Sequence, residues 1–533
     1  MKKLKLLATA LCALMAITAF AACKAPDKQI DKDALHIAIL KKGYGSEFAH
    51  SLAEAYQQKT GMKVQFVYDE SSEASMTLLI QSKNSGIDIA FDIAATLNSV
   101  MARKNYIKGY DKAFVDLEDV YNAPALGYEE LTAKPGLINR DIINEYMLDM
   151  IANDQDGKMY AMPWVMDING FVYNKTIWER DKAKLGSPEL PKTTDEMFTL
   201  FDHIKSVSGA NKKPYAFKYA GQSNQMWMAF GPWLAQYDGK EAMSYFYKGQ
   251  DINGGYTPDI YMTDGREAAL AASRKLLLKT NGYVDTADAA GAILNVQGEF
   301  LQGNAYFHTN GSWLERETAE NYDPADVEIS FLKTPVISAI VDKWPAVFTG
   351  SAAAKDAMLR QAIDYIDGDT SAKPAFLNGH DDILVHLTDA RNTVYTIGSL
   401  HYAAVPAYST HIEEAKDFLK FMLSKEGQEI MLAASYGNMM PLNVNPQQFE
   451  YYNTAYCTTL SKSKMDIFKN AVLTGYPFKY PMSYFGGLDI IRSSHTIEIA
   501  FGGDSPEAVG TFMTKDYNYY NDNWADRMSL AGV

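Results

Sequence analysis

A chain of 533 residues with a net charge of −15 is too long for a single core, so two or three domains are expected. It is also too acidic to favour nucleic acid or anionic lipid as a partner. Loss of Lys2, Lys3 and Lys5 with a leader brings the charge to about −18, which argues mildly against an anionic substrate. Aromatics reach 12%, with 34 Tyr, a supply of flat faces suited to stacking.

Met1 to Ala22 has the three parts of a secretion signal: a Lys-rich start, an apolar run from Leu6 to Phe20, and Ala21-Ala22 before Cys23. The run is short for a bilayer span. Small residues before a cysteine resemble a bacterial lipobox, in which Cys23 becomes the lipidated first residue. Phe20 stands where Leu is usual, which leaves ordinary signal cleavage open. Lys24 to Asp33 is polar and reads as a tether. Cys12 leaves with the leader, so with Cys23 acylated only Cys457 remains and no internal disulfide can form. Cys457 is expected to be buried. No later stretch reaches transmembrane length.

Leu35 to Leu40, LHIAIL, is apolar on both faces, as in a parallel strand. Phe48, Leu52, Ala55 and Tyr56 recur at helical spacing, Lys63 to Tyr68 is a second strand, Met76 starts a helix, and Ile87 to Ile93 is a third strand. This alternation opens an α/β lobe, whose ligands sit beyond the carboxyl ends of the strands. That nominates Lys42, Tyr44, Asp69, Glu70 and Asp92 to Thr96. The Gly43-Tyr44-Gly45 turn lacks the third glycine of a dinucleotide fingerprint.

In Gly157 to Lys175, GKMYAMPWVMDINGFVYNK, Pro163 interrupts one short strand and a second follows over Gly170 to Tyr173. An extended crossing between lobes, carrying Trp164, Asp167 and Asn169, fits this pattern. Two adjacent strands of one domain fit it as well. The stretch resembles the G-K-x-Y-x-x-P … Y-N-K signature of the family 1 extracellular solute-binding proteins, sugar receptors of ABC importers, and the resemblance implies a crossing. It also places Asp167 where related receptors carry an acidic hydroxyl-binding residue; the alternative is an exposed hinge aspartate. Leu190 to Lys205 is a helix with Met197, Leu200, Phe201 and Ile204 inward and Thr194 as its cap. It resembles the family's helix after Y-N-K, with Thr194 where Trp is common.

Pro214 to Trp233 mixes Tyr215, Phe217, Tyr219, Gln222, Asn224 and Trp227, rings to stack on sugar C–H faces and amides to take hydroxyls. Phe217, Phe230 and Trp233 also suit a core. Arg266 to Lys279 is an amphipathic helix. Asn295 to Glu317 resembles the family's helix, strand and N-G-S/P-W sequence through Asn310-Gly311-Ser312-Trp313, and in relatives that tryptophan often stacks on ligand. Thr334 to Pro345 reads as a return to the first lobe, and Phe348 to Leu400 is the least patterned part. His401 to Asn443 resembles the family's later first-lobe segment, and the aromatic tail from Gln447 to Trp524 is implied to pack on the second lobe.

Few reactive motifs appear. Asp154 to Gly157 lacks the downstream Glu of a calcium loop. His380-Asp-Asp-Ile-Leu-Val-His386 is favoured as a solvated loop over a metal site, for want of a second cluster with ligand spacing. Gly311-Ser312-Trp313 lacks the second glycine of a nucleophile elbow. Neither cofactor, metal nor catalytic residue is expected.

The resemblance implies an α/β, two-lobed periplasmic-binding-protein-like fold of type II with a ligand cleft between the lobes. Expected boundaries are a signal at 1–22, a lipidated tether at 23–34, the first lobe at 35–163 and 335–436, and the second at 164–334 and 437–533. It further implies a monomeric, lipid-anchored receptor that closes on a sugar and delivers it to membrane permease subunits, with no nucleic-acid partner. Lys42, Tyr44, Asp92, Trp164, Asp167, Tyr219, Gln222, Trp227, Asn310 and Trp313 are the candidate ligand contacts. The rivals are the same fold binding a peptide, polyamine or metal complex, and an extracytoplasmic glycosidase.

Overall fold

The computed structural model describes residues 30–533 apart from 41–42, 72–75, 77–78, 81–84, 92–112, 130, 132–133, 152–156, 167, 187, 209–212, 320, 324–325, 397–400, 439, 441, 476–479 and 485. In chain order its strands are β1 (Leu35–Leu40), β2 (Val64–Ser71), β3 (Ile89–Phe91), β4 (Met162–Pro163), β5 (Asn169–Asn174), β6 (Tyr215–Lys218), β7 (Ala305–Gly311), β8 (Ile329–Leu332), β9 (Thr393–Thr396), β10 (Tyr402–Ala404) and β11 (Val472–Gly475). They form two mixed sheets, ordered β2-β1-β3-β10-β4 and β11-β9-β5-β7-β6, with β8 also paired to β5.

The first sheet grows from β1, every residue of which is buried. β2 and β3 flank it in parallel, and β10 returns antiparallel to both β3 and β4. The helix Glu47–Thr60 supplies Phe48, Ala49, Leu52, Ala53 and Tyr56 to the same core. Pro163 takes part only in the outermost pairing, where its missing N–H costs no ladder bond, and the chain then leaves this sheet.

The second sheet is organised by β5, buried throughout. Antiparallel β7 and β8 lie along it, and β9 adjoins it at Asn169. Period-two alternation sends Phe171 and Tyr173 into a core of the second lobe. Val172 joins the first core instead, with Phe331, Val394 and Leu473. The crossing from β4 to β5 is therefore one between sheets, as the resemblance implied.

Two expectations fail for identifiable reasons. Thr334 to Pro345 does not take the chain back to the first lobe. Trp233 Nε1 donates to Pro335 O (3.2 Å), Ile337 N donates to Gln236 Oε1 (3.0 Å), and Val336 N donates to Lys192 O (2.8 Å). From Val336 to Ala390 the buried apolar residues stay in the second core. β9 then divides between Tyr395 in that core and Val394 in the first, and the chain joins the first sheet at Tyr402. The β-branched run TPVISAI reads as an extended crossing, but it lies along the helix Trp227–Asp238. His380 to His386 is likewise no loop. Asp382 to His386 lie in the helix Asp381–Asn392, where His386 Nε2 meets Gln236 O at 3.1 Å and the ring packs edge-on to Trp344.

The expected helix cap moves by one residue. Thr193 Oγ1 accepts from Glu196 N, while Thr194 Oγ1 donates to Ser338 Oγ. The expected move to the second lobe at 437 comes later, since Val444, Phe449, Tyr451, Cys457 and Met465 pack with Ala125, Tyr128 and Leu432. The tail beyond closes the second lobe through Arg266, fully buried between Phe230 and Tyr261. Its guanidinium donates to Asp516 Oδ2 (2.7 Å) and Ile490 O (2.6 Å). Such a pair is strongly destabilising to break because the survivor is a buried lone charge.

Candidate ligand cleft

The two lobes meet where the loop after β1, the crossing after β4 and the end of β7 converge. Trp164 opens the crossing. Its ring stacks on Phe48 (4.1 Å between centroids) and takes the edges of Tyr44, Phe91 and His401 around it. Tyr44 and Ser312 join hydroxyls at 2.7 Å, one from each lobe. Ser312 also binds the crossing itself, donating from its N–H to Ile168 O (2.9 Å) and accepting from Ile168 N at Oγ (3.3 Å).

Trp313 is half-buried beside this node, edge-on to Tyr44. Its ring lies back across the Cα of Gly311, where a Cβ would fall 2.3 Å from ring carbons, and its Cβ packs 2.9 Å from where one would stand on Gly43. Glycine at both positions is a steric requirement, one from each lobe. Arg316, three residues on, pairs with Glu47 at the start of the first-lobe helix.

The floor of the second-lobe side is polar but internally spent. Asn310 Oδ1 accepts from Gly311 N (2.7 Å), and its Nδ2 lies 3.0 Å from His308 Nε2. That leaves His308 Nδ1 to donate to Lys218 O (2.9 Å), and burial lowers this imidazole to about 4, so it is neutral. At the carboxyl end of β6, Lys218 Nζ lies buried, 2.7 Å from both Asp288 Oδ1 and Glu299 Oε2, which keep it charged against the cost of burial.

Beyond β6, Tyr219 is buried against Phe217, with its hydroxyl close to Gly502. Gln222 is exposed on the short turn Gly221–Ser223. Trp227 is half-buried at the head of its helix, its ring 5.8 Å from Tyr395. Tyr395 ends the second sheet's approach to the cleft and meets the hydroxyl of Tyr247. From the first lobe Tyr146 reaches the same group, its phenol pushed well up by burial and by the neighbouring Tyr395, Tyr402 and Tyr480.

The structure thus brings Tyr44, Trp164, Asn310 and Trp313 to one junction, and places Tyr219, Gln222 and Trp227 along the second-lobe face. Lys42, Asp92 and Asp167, with Cys23, lie outside the described residues. Sequence reasoning missed Ser312 as the node, and missed Tyr395 and Tyr146. Nothing local marks those two, since a lone Tyr on a strand or a short helix is ordinary core. A groove of about 1000 Å³ contains none of these side chains. It lies on the outer face of the second lobe between Phe198, His203 and Arg360, where only surface helices meet.

This architecture agrees with the family comparison. A model of bacterial extracellular solute-binding proteins matches residues 51–452, and the chain belongs to that family. A similar characterised protein is the diacetylchitobiose binding protein DasA of Streptomyces coelicolor, 24% identical over 166 residues, which are 31% of this chain. The match spans about a third of that relative's length, 32%. Among the described residues no helix is long and apolar enough to cross a membrane.

Proposed function

We propose that the protein is the lipid-anchored receptor of an ABC importer, capturing a sugar or short oligosaccharide between its lobes and delivering it to permease subunits. The observation that carries this reading is the junction itself, where aromatic rings and hydroxyls from both lobes converge on the crossing. Trp313 and Trp227, each with ring surface still exposed, would stack on pyranose faces, with Trp164 behind them. Lys42, Asp92 and Asp167 would take hydroxyls and Gln222 would line the approach, while the buried Asn310, Tyr44 and Tyr219 would back the wall. Ligand favours the closed arrangement only through contacts that the open one lacks, which a cleft walled by both lobes supplies. The partial likeness to a diacetylchitobiose binding protein supports a saccharide. Cys23 would carry the lipid, at the extracytoplasmic face of the membrane.

The test is intrinsic fluorescence with thermal shift on the mature chain from Lys24, against diacetylchitobiose, other oligosaccharides, peptides and polyamines. A ligand at a hundredfold over its Kd stabilises by about 2.7 kcal/mol. One saccharide class should move both signals, and Trp313→Ala should abolish the response. A response confined to peptides or polyamines would retain the receptor and refute the sugar. Hydrolysis of an oligosaccharide by the pure protein would refute both.

A further inference from the structure

At the pole of the first lobe away from the cleft, two histidines share one buried carboxylate. His36 lies near the start of β1, Asp88 immediately precedes β3, and His411 follows β10 at the head of the helix Ile412–Leu423. Asp88 Oδ2 lies 3.0 Å from His36 Nδ1 and 3.3 Å from His411 Nδ1. The three ligand atoms all fall within 4.8 Å of one another. His36 and Asp88 are buried, while the His411 side chain keeps 16% exposure, enough for an ion to enter.

The hydrogen bonding around His36 demands a cation. Its Nε2 lies 2.9 Å from Asp31 O, which can only accept, so Nε2 carries a proton. In the neutral ring Nδ1 then presents a lone pair, yet it faces a carboxylate oxygen that also can only accept. Something positive must lie between them, either a second proton or a metal ion.

We propose that His36 Nδ1, Asp88 Oδ2 and His411 Nδ1 bind a divalent transition ion of the zinc class, with water as the fourth ligand. A tetrahedral zinc site with bonds of about 2.0–2.1 Å separates its ligand atoms by roughly 3.3 Å, close to the two separations present. The surrounding groups are those that orient such ligands. Asp31 O fixes the His36 tautomer, and Ser409 Oγ donates to Asp88 Oδ1 (2.6 Å). His36 N donates to Asp88 Oδ2 (2.9 Å), and Thr410 Oγ1 lies 3.2 Å from His411 Nδ1, a contact the ion would replace. Two imidazoles and a carboxylate suit zinc better than calcium or magnesium. The site would clamp β1, the lead into β3 and the segment after β10, three pieces brought together from distant parts of the chain. It lies outside the cleft, so its role is structural.

The experiment uses the mature chain, free of any histidine tag and stripped with chelator, titrated with zinc alone by calorimetry and with cobalt by absorption. The proposal requires one equivalent bound, the visible spectrum of tetrahedral cobalt, and a chelator-reversible rise in Tm. His411→Ala, a change at the partly exposed ligand, should lose the cobalt spectrum while leaving the ligand response of the cleft intact. Ser409→Ala should weaken zinc by about 10–100-fold. Absence of stoichiometric uptake would mean that a proton alone fills the gap and would overturn the site. Uptake unchanged in His411→Ala would place the ion elsewhere and overturn it equally.

Discussion

Ser312 is held from two sides, and the two sides use different physics. Toward the first crossing, its hydroxyl and N–H meet Tyr44 and Ile168, and Trp164 packs the entry with rings. Toward the turn after the helix Lys425–Ala434, whose continuation still pairs with the first lobe through Asn443 N and Ile142 O, its carbonyl accepts from Lys464 Nζ at 3.3 Å. That ammonium is fully buried and also donates to Tyr436 O (2.6 Å) and Asn438 Oδ1 (3.2 Å). Burial drives it down to about 8, although the buried Glu315 nearby pulls the other way. One connection between the lobes therefore rests on packing and neutral hydrogen bonds, and the other on a titratable charge. Proton concentration should reach the second and leave the first alone.

The difference can be attacked in order of size. Trp164→Ala removes the stacked ring at the packed crossing and should cost about 3–5 kcal/mol, read from the denaturant midpoint at unchanged m. At the charged connection, unfolded Lys464 holds its proton up to its ordinary value of 10.5, whereas the folded chain releases it at about 8. Between those values the unfolded state binds more protons, so this residue's contribution to stability rises with pH, by about 3 kcal/mol across the window. Lys464→Met should flatten that rise in melts taken from pH 7.5 to 10.5. A slope that persists in the variant would assign the titration elsewhere. Tyr44→Phe takes one hydroxyl from the packed side and leaves Ser312 with less, a loss of about 1–3 kcal/mol with no change in the pH slope. Thr193→Ala, a cap remote from both connections, should cost about 1 kcal/mol and leave ligand affinity unaltered.

What was legible in the sequence follows the range of the interactions. At Trp164, Pro163 as a local stop and β5 as a local run allowed a crossing without requiring one, and the family resemblance decided for it. The N-G-S-W corner could be read because its residues are contiguous and match the family's pattern, and the absent Cβ of Gly311 is what gives the Trp313 ring its room. The cap was misplaced by one because Thr193 and Thr194 are chemically alike, and only Ser338, 144 residues away, decides which faces the helix. The return to the first lobe was misjudged at Thr334 for the same reason: Gln236 and Trp233, far upstream, hold that run in place. His36, Asp88 and His411 have no spacing to recognise, since the first sheet alone unites them.

The position of β1 has a mechanical consequence. It lies inside its sheet with parallel partners on both sides, β2 and β3, and the chain enters it from its N-terminal end. A pull on that end runs along the strand axis, so the bonds to both neighbours are sheared together instead of being opened one after another. The first lobe should therefore bear load well when the molecule is held by its N-terminus. The second lobe takes that load indirectly, through the crossings and through contacts such as Tyr44–Ser312 and Arg316–Glu47.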